Sequence, residues 1–215
     1  MKLYMIRHGE SEGNRLGKIQ GSMDFPLSDL GEKQAQAVAR FCTTLAADYL
    51  YTSDLTRAAN TAQAISEETQ LPPRKWELLR EVHLGPLQGL TRSEIADRFP
   101  ETTGKPLIAS GIDGTESAQA LTERCYSLLS QLKKAHRDDE SVILVSHGGF
   151  ISCLLMYAIV GEQWAAFERP FVIGNTSVTL LEWKEEDERY LLHYTNRTAH
   201  LETVRADLTA KHGLL

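Results

Sequence analysis

Leu3-Tyr4-Met5-Ile6-Arg7-His8-Gly9 and Val142-Ile143-Leu144-Val145-Ser146-His147-Gly148-Gly149 share one pattern: an apolar run, a polar residue, then His-Gly. Apolar runs of this kind, without polar alternation, suit strands buried on both faces of a helix-covered sheet. Each histidine then stands at the carboxyl tip of its strand. Ligands of open α/β sheets bind outside those tips, where neighbouring strands send their helices to opposite faces. If the two strands are neighbours, His8 and His147 meet at such a point. The glycines let backbone N–H groups approach a ligand closely. The helix expected after His147 turns its first amides toward an anion.

Outward from these strands, apolar runs alternate with stretches of helical period, the pattern of an α/β domain. Ser28 caps a helix expected to reach about Ala46, with Val38, Phe41, Cys42 and Leu45 at helical spacing. Tyr49 to Thr52 reads as a short strand. Leu55 to Glu68 reads as an Ala-rich helix ended by Pro72-Pro73. Trp76 to Val82 is an extended candidate, and Arg92 to Phe99 a short helix stopped by Pro100. The segment 101–114 reads as a surface loop that could sit over a site. Glu116 to His136 is an amphipathic helix, with Leu121, Cys125, Leu128, Leu129 and Leu132 on one face. Phe150 to Val160 is a buried helix. Val178 to Trp183 and Tyr190 to Tyr194 are strands, and the acidic run Glu185 to Glu188 is the solvated turn between them. The fold class expected is α/β: a single three-layer domain over residues 1–215, with a mixed, mostly parallel sheet covered by helices on both faces.

The chain of 215 residues carries 23 Lys and Arg against 29 Asp and Glu, a net charge of −6. With 42% hydrophobic and 24% charged residues it is an ordinary globular composition and not a disordered one. Mild acidity excludes a surface given over to nucleic acid or anionic lipid, which need clustered Lys and Arg. A small anionic substrate remains open, provided a few arginines converge. Cys42, Cys125 and Cys153 have no metal-ligand spacing and read as reduced, half-buried core thiols. The opening Met-Lys-Leu-Tyr-Met-Ile-Arg does not resemble a signal peptide. The apolar stretch Phe150 to Val160 falls short of the ~20 residues a bilayer needs. These features point to a soluble, cytoplasmic protein without membrane or nucleic-acid partners.

Two histidines with Arg7 and Arg57 suggest a phosphoryl site. Arginine offers a planar fork of donors that matches phosphate oxygens and stays charged. Arg57 lies just after another strand ending, Tyr51-Thr52-Ser53-Asp54. A neutral imidazole can attack phosphorus and form a covalent phosphohistidine. The departing alkoxide then needs an acid, and Glu81, in an otherwise apolar segment, is the candidate. A solitary loop histidine and an ordinary surface carboxylate are the plain alternatives. Zinc is disfavoured, because no Cys-x-x-Cys, His-Glu-x-x-His or carboxylate cluster supplies ligands.

Leu3-Tyr4-Met5-Ile6-Arg7-His8-Gly9-Glu10-Ser11, followed by Asn14 and Gln20-Gly21, resembles the signature of the histidine phosphatase (phosphoglycerate mutase-like) superfamily. The resemblance continues through Pro26-Leu27-Ser28-Asp29-Leu30-Gly31, Thr52-Ser53-Asp54-Leu55-Thr56-Arg57-Ala58 with Thr61-Ala62, and Leu79-Arg80-Glu81. Gly114-Thr115-Glu116-Ser117, Val145-Ser146-His147-Gly148 and Asn175-Thr176-Ser177 complete it, in the family's order. The resemblance implies that His8 is the nucleophile, that Arg7, Arg57 and His147 bind the phosphoryl group, and that Glu81 protonates the leaving oxygen. Asn14, Gln20 and Gly21 are implied to line the substrate side, and Gly148 to offer backbone contact. No metal and no organic cofactor are implied, and the partner is a small phosphorylated metabolite.

Cofactor-dependent mutases of the family carry a longer insertion after the acid and an Arg directly following it. Here Val82 follows Glu81 and the path to Gly114 is short, so a phosphatase is the preferred reading and a mutase the alternative. A non-catalytic phosphate-binding module is a third, disfavoured because none of His8, Arg57, Glu81 and His147 is missing. Gly13 stands where the family often has Trp. Among the other histidines, His83 reads as substrate contact or wall packing. His136, His193 and His212 read as surface or strand residues, and His200 as a structural hydrogen-bonding group.

Overall fold

A computed structural model describes residues 1–108, 110–167, 170–202 and 204. Six strands form one sheet: β1 (Lys2–Arg7), β2 (Tyr49–Thr52), β3 (Pro73–Lys75), β4 (Ser141–Ser146), β5 (Val178–Lys184) and β6 (Arg189–Arg197). Their order is β3-β2-β4-β1-β5-β6. The pairs β3/β2, β2/β4 and β4/β1 are parallel, while β1/β5 and β5/β6 are antiparallel. The sheet is therefore mixed and mostly parallel, as expected.

Both faces are covered, which explains the unbroken apolar runs. Leu3, Met5, Val142 and Leu144 point into one core with helices α5 (Ala118–Ala135) and α6 (Gly148–Val160). Tyr4, Ile6, Ile143 and Val145 point into the other with α2 (Asp29–Cys42) and α3 (Thr56–Thr69). The period-two alternation of a strand thus splits each run between two cores. On α5 the stripe Leu121, Cys125, Leu128, Leu129 and Leu132 is buried, each leucine worth about 1.5–3 kcal/mol of removal from water. Gly148–Ala166 is long and apolar enough to cross a membrane by length and composition alone. Here Phe150 to Met156 are buried in the core, which accounts for that apolarity.

β1 and β4 are neighbours in parallel register, Ile6 opposite Val145 and Arg7 opposite Ser146. The helix after β1 packs on one face and the helix after β4 on the other, so the two strands flank a crossover point of the sheet. The loop leaving β1 is pressed against the start of α2. A Cβ on Gly31 would stand 1.9 Å from the Glu10 carbonyl oxygen, and one on Gly9 2.5 Å from that of Gly31. Only glycine fits either side of this contact.

Several elements differ from expectation. The helix capped by Ser28 ends at Cys42, not Ala46, because the Thr43 and Thr44 hydroxyls donate to the Arg40 and Phe41 carbonyls at 2.8 and 2.7 Å. α3 ends at Thr69, ahead of the prolines, with Gln70 in a left-handed cap. Pro73 instead opens the short edge strand β3, where a missing N–H is tolerated. Trp76 to Val82 is not extended: Glu77–Leu79 form one tight helical turn. The carbonyls of Leu79 and Arg80 accept from Ser146 Oγ and Arg124 Nη1, at 2.7 and 2.6 Å, instead of from a strand. A one-turn helix α1 (Glu12–Arg15) and the helix α4 (Arg92–Arg98) complete the regular structure. All three cysteines are fully buried, not half-buried. His136 is no surface residue; it is buried between Tyr51 Oη at 3.1 Å and Glu140 at 3.3 Å. His193 lies on β6 beside Glu182, and His212 lies outside the described residues.

Candidate active site

One residue beyond the paired strand ends, His8 and His147 stand with ring centroids 5.0 Å apart. Both are buried. His8 Nδ1 lies 2.6 Å from the Gly9 carbonyl oxygen, so Nδ1 donates and the lone pair resides on Nε2. Arg57 Nε donates to that Nε2 at 3.3 Å. The Arg57 guanidinium, on the first turn of α3, is itself held by the Met23 and Gly21 carbonyls, each at 2.8 Å. Arg7 Nη1 donates to the Ile173 carbonyl at 2.7 Å, while its buried Nε has no partner among the described residues. Burial, then the charges of Arg7 and Arg57, hold His8 well below the usual imidazole range. Burial, then Arg57, His8 and Arg7, do the same to His147. Both rings are neutral in the free protein, as a histidine nucleophile requires.

Glu81 closes the opposite side. Its carboxylate accepts from the backbone N–H groups of Gly149 at 3.0 Å, Phe150 at 2.8 Å and Val82 at 2.9 Å. The start of α6 thus holds the carboxylate in place. The segment behind it is pinned by Arg124, which bridges Glu116 at 2.8 Å and lies over the Phe150 ring.

Arg7, His8, Asn14, Gln20, Gly21, Arg57, Glu81 and Gly148 line one cavity of about 680 Å³. Eight of the nine expected site residues therefore converge on it, and His147 stands beside His8. Asn14 Oδ1 accepts from Asn175 Nδ2 at 3.3 Å, and the same amide donates to the His8 carbonyl at 3.0 Å. Gln20 accepts from the Ser11 hydroxyl at 2.8 Å, and its side chain fills the space that a side chain at Gly13 would need. The loop expected over a site does reach it: Gly104, Pro106, Leu107 and Ile108 line the same cavity. His83 bonds Ser22 at 2.7 Å on the exposed side and does not line the cavity. His200 bonds Thr176 at 3.3 Å, as a structural role predicts, and burial lowers its pKa to about 4.

Sequence reasoning assigned no role to Ser53, Asn175, Lys18 or Arg92. Ser53 and Asn175 stood inside the quoted motifs, beside residues that had roles. Lys18 and Arg92 line the outer cavity with Ile19, Leu84, Leu107 and Phe171. No sequence signal distinguishes such charges from ordinary surface ones.

Residues 3–196 match the family model described as histidine phosphatase superfamily (branch 1). The chain belongs to that superfamily. It is similar to phosphoglycerate mutase-like protein 4 of Arabidopsis thaliana, 34% identical over 94% of this chain and 87% of that protein. It is also similar to a metal-independent phosphoserine phosphatase of the same plant, 32% identical over 94% and 84%. Among solved structures, mycobacterial glucosyl-3-phosphoglycerate phosphatase with VO3 aligns with a TM-score of 0.76 at 32% identity, over 92% of this chain and 99% of that one. Phosphoryl transfer through a phosphohistidine is general to this superfamily, and the glucosyl-3-phosphoglycerate phosphatase is a member that acts as a phosphatase.

Proposed function

We propose that His8 is the residue phosphorylated and that Glu81 is the proton donor, acting on a small phosphorylated metabolite in the cytoplasm, with residues 1–215 forming one catalytic domain. The observation that carries this reading is the unprotonated Nε2 of neutral His8, beside a cavity lined by the Arg7 and Arg57 guanidiniums, a third from Arg92, and the Glu81 carboxyl group. His8 Nε2 attacks phosphorus and the P–O bond to the leaving group breaks. The leaving oxygen takes the proton of the Glu81 carboxyl group. Arg7, Arg57 and His147 donate to the equatorial phosphoryl oxygens, so charge develops against fixed donors. The Glu81 carboxylate then takes a proton from water, whose oxygen attacks phosphorus as the P–N bond breaks.

Asn14, Gln20, Gly21 and Gly148 border the leaving group and phosphate. Arginines supply the positive charge that a metal would bring, so the reading needs no metal or organic cofactor. Water is the preferred acceptor over a second phosphoglycerate, because Val82 puts no cation next to the acid. Beyond the phosphate, apolar Ile19, Leu84 and Leu107 with the cations Lys18 and Arg92 suit a leaving group that combines an apolar part with a second anion. The test is phosphate release from a panel of phosphomonoesters, 3-phosphoglycerate included, with chelator present. His8→Ala is expected to lose turnover by about 10⁴-fold or more while keeping its thermal transition. An active His8→Ala protein removes the phosphohistidine from this residue. Transfer between monophosphoglycerates without phosphate release favours the mutase.

A further inference from the structure

Neighbouring histidines that serve one phosphoryl group must present different things to it: a bare nitrogen for attack and an N–H for stabilisation. On His8 the assignment is visible, since Nδ1 donates to Gly9 and Nε2, unprotonated, accepts from Arg57 Nε at 3.3 Å. On His147, Nε2 lies 2.9 Å from Ser53 Oγ, and Nδ1 is buried with no partner among the described residues. A neutral ring carries one N–H, so the partner of Nε2 decides what Nδ1 is.

Ser53 is itself fully buried at the end of β2. Its N–H donates to the Val145 carbonyl at 2.9 Å, which ties it to β4 two residues before His147. Its Oγ accepts from the Leu55 N–H at 3.3 Å. A backbone amide only donates, so among the described residues the hydroxyl hydrogen has one acceptor, His147 Nε2. The reverse arrangement would leave a buried hydroxyl hydrogen unsatisfied and turn a lone pair on Nδ1 toward the incoming anion, both unfavourable.

We propose that Ser53 is a positioning residue that fixes His147 as the Nδ1–H form, so that Nδ1 donates to the phosphoryl oxygens while Nε2 of His8 stays bare. The proposal rests on the reading of His147 as a phosphoryl ligand. It adds that a hydroxyl on the neighbouring strand sets the ligand's protonated nitrogen before substrate arrives.

The experiment is two-bond ¹H–¹⁵N NMR of protein labelled at histidine, with His147 assigned by comparison with His147→Gln. Expected for the wild type is a protonated Nδ1 and a bare Nε2 on His147. In Ser53→Ala the ring is expected to shift toward Nε2–H, with kcat about tenfold lower, the loss of one hydrogen bond. Ser53→Thr, which keeps the hydroxyl, is expected to retain the wild-type spectrum. A wild-type spectrum with Nε2–H on His147 overturns the proposal whatever the variants do. So does Ser53→Ala protein with unchanged tautomer or unchanged turnover. The underlying reading fails separately, if His147→Gln releases phosphate at the wild-type rate.

Discussion

At the scale of single residues, the site separates by chemistry into attack and departure. His8, held neutral by burial and by Arg7 and Arg57, supplies the electron pair. Glu81 answers for the leaving oxygen, and its contribution depends on how much the leaving group needs a proton. In Glu81→Gln, turnover of alkyl phosphates is expected to fall about 10²-fold or more, with less than about tenfold loss for p-nitrophenyl phosphate. Equal losses for both substrates would take the acid role from Glu81. The residues that do this chemistry were legible in sequence because each closes a strand or a motif whose residue types have few other uses. Ser53 was not, since a serine after a strand reads as a turn until its distance to His147 is known. Lys18 and Arg92 were hidden for the opposite reason: a lone charge is the commonest surface residue, and only folding brings these two to the cavity.

At the scale of elements, the site depends on where α6 begins. Its first amides fix the Glu81 carboxylate, and Gly149 leaves room for that carboxylate to approach. A Cβ on Gly149 would stand 2.7 Å from Glu81 Oε1 and 3.0 Å from Ile108 Cδ1. Gly149→Ala should therefore lower kcat for alkyl phosphates by about tenfold or more by displacing the acid. It should not unfold the protein, because alanine exceeds glycine by about 1 kcal/mol in helix propensity. Kinetics and thermal unfolding of the one variant check both halves, and full activity would mean that the acid tolerates displacement. β1 and β4 were readable because burial on both faces writes a continuous apolar run. β3 was not, since three residues opening with Pro73 at a sheet edge carry no period. Trp76 to Val82 misled because Leu79 and Val82 are buried without strand pairing, while the Leu79 and Arg80 carbonyls accept from Ser146 and Arg124 instead.

At the scale of the whole molecule, the chain is acidic overall yet gathers Arg7, Arg57, Lys18 and Arg92 around one cavity. Global charge therefore foretold little about the ligand, whereas convergence at the strand tips foretold a great deal. The same burial that suits the histidines to catalysis has a stability consequence. His8 and His147 have folded pKa values well below the unfolded value near 6.5, and His200 is lowered to about 4. Unfolded chain then binds protons that folded chain refuses. Stability from these groups is complete above pH 6.5 and is lost as pH falls from there toward the folded values. A difference of one bound proton between the folded and unfolded chain is worth about 1.4 kcal/mol per pH unit. Thermal unfolding should show a steep fall in Tm between pH 6.5 and 4, and His200→Gln, which removes one such proton and leaves the cavity intact, should make the fall shallower. A Tm that stays level from pH 6.5 to 5 would mean that the folded protein accepts those protons, and with them that His8 and His147 do not rest as neutral rings.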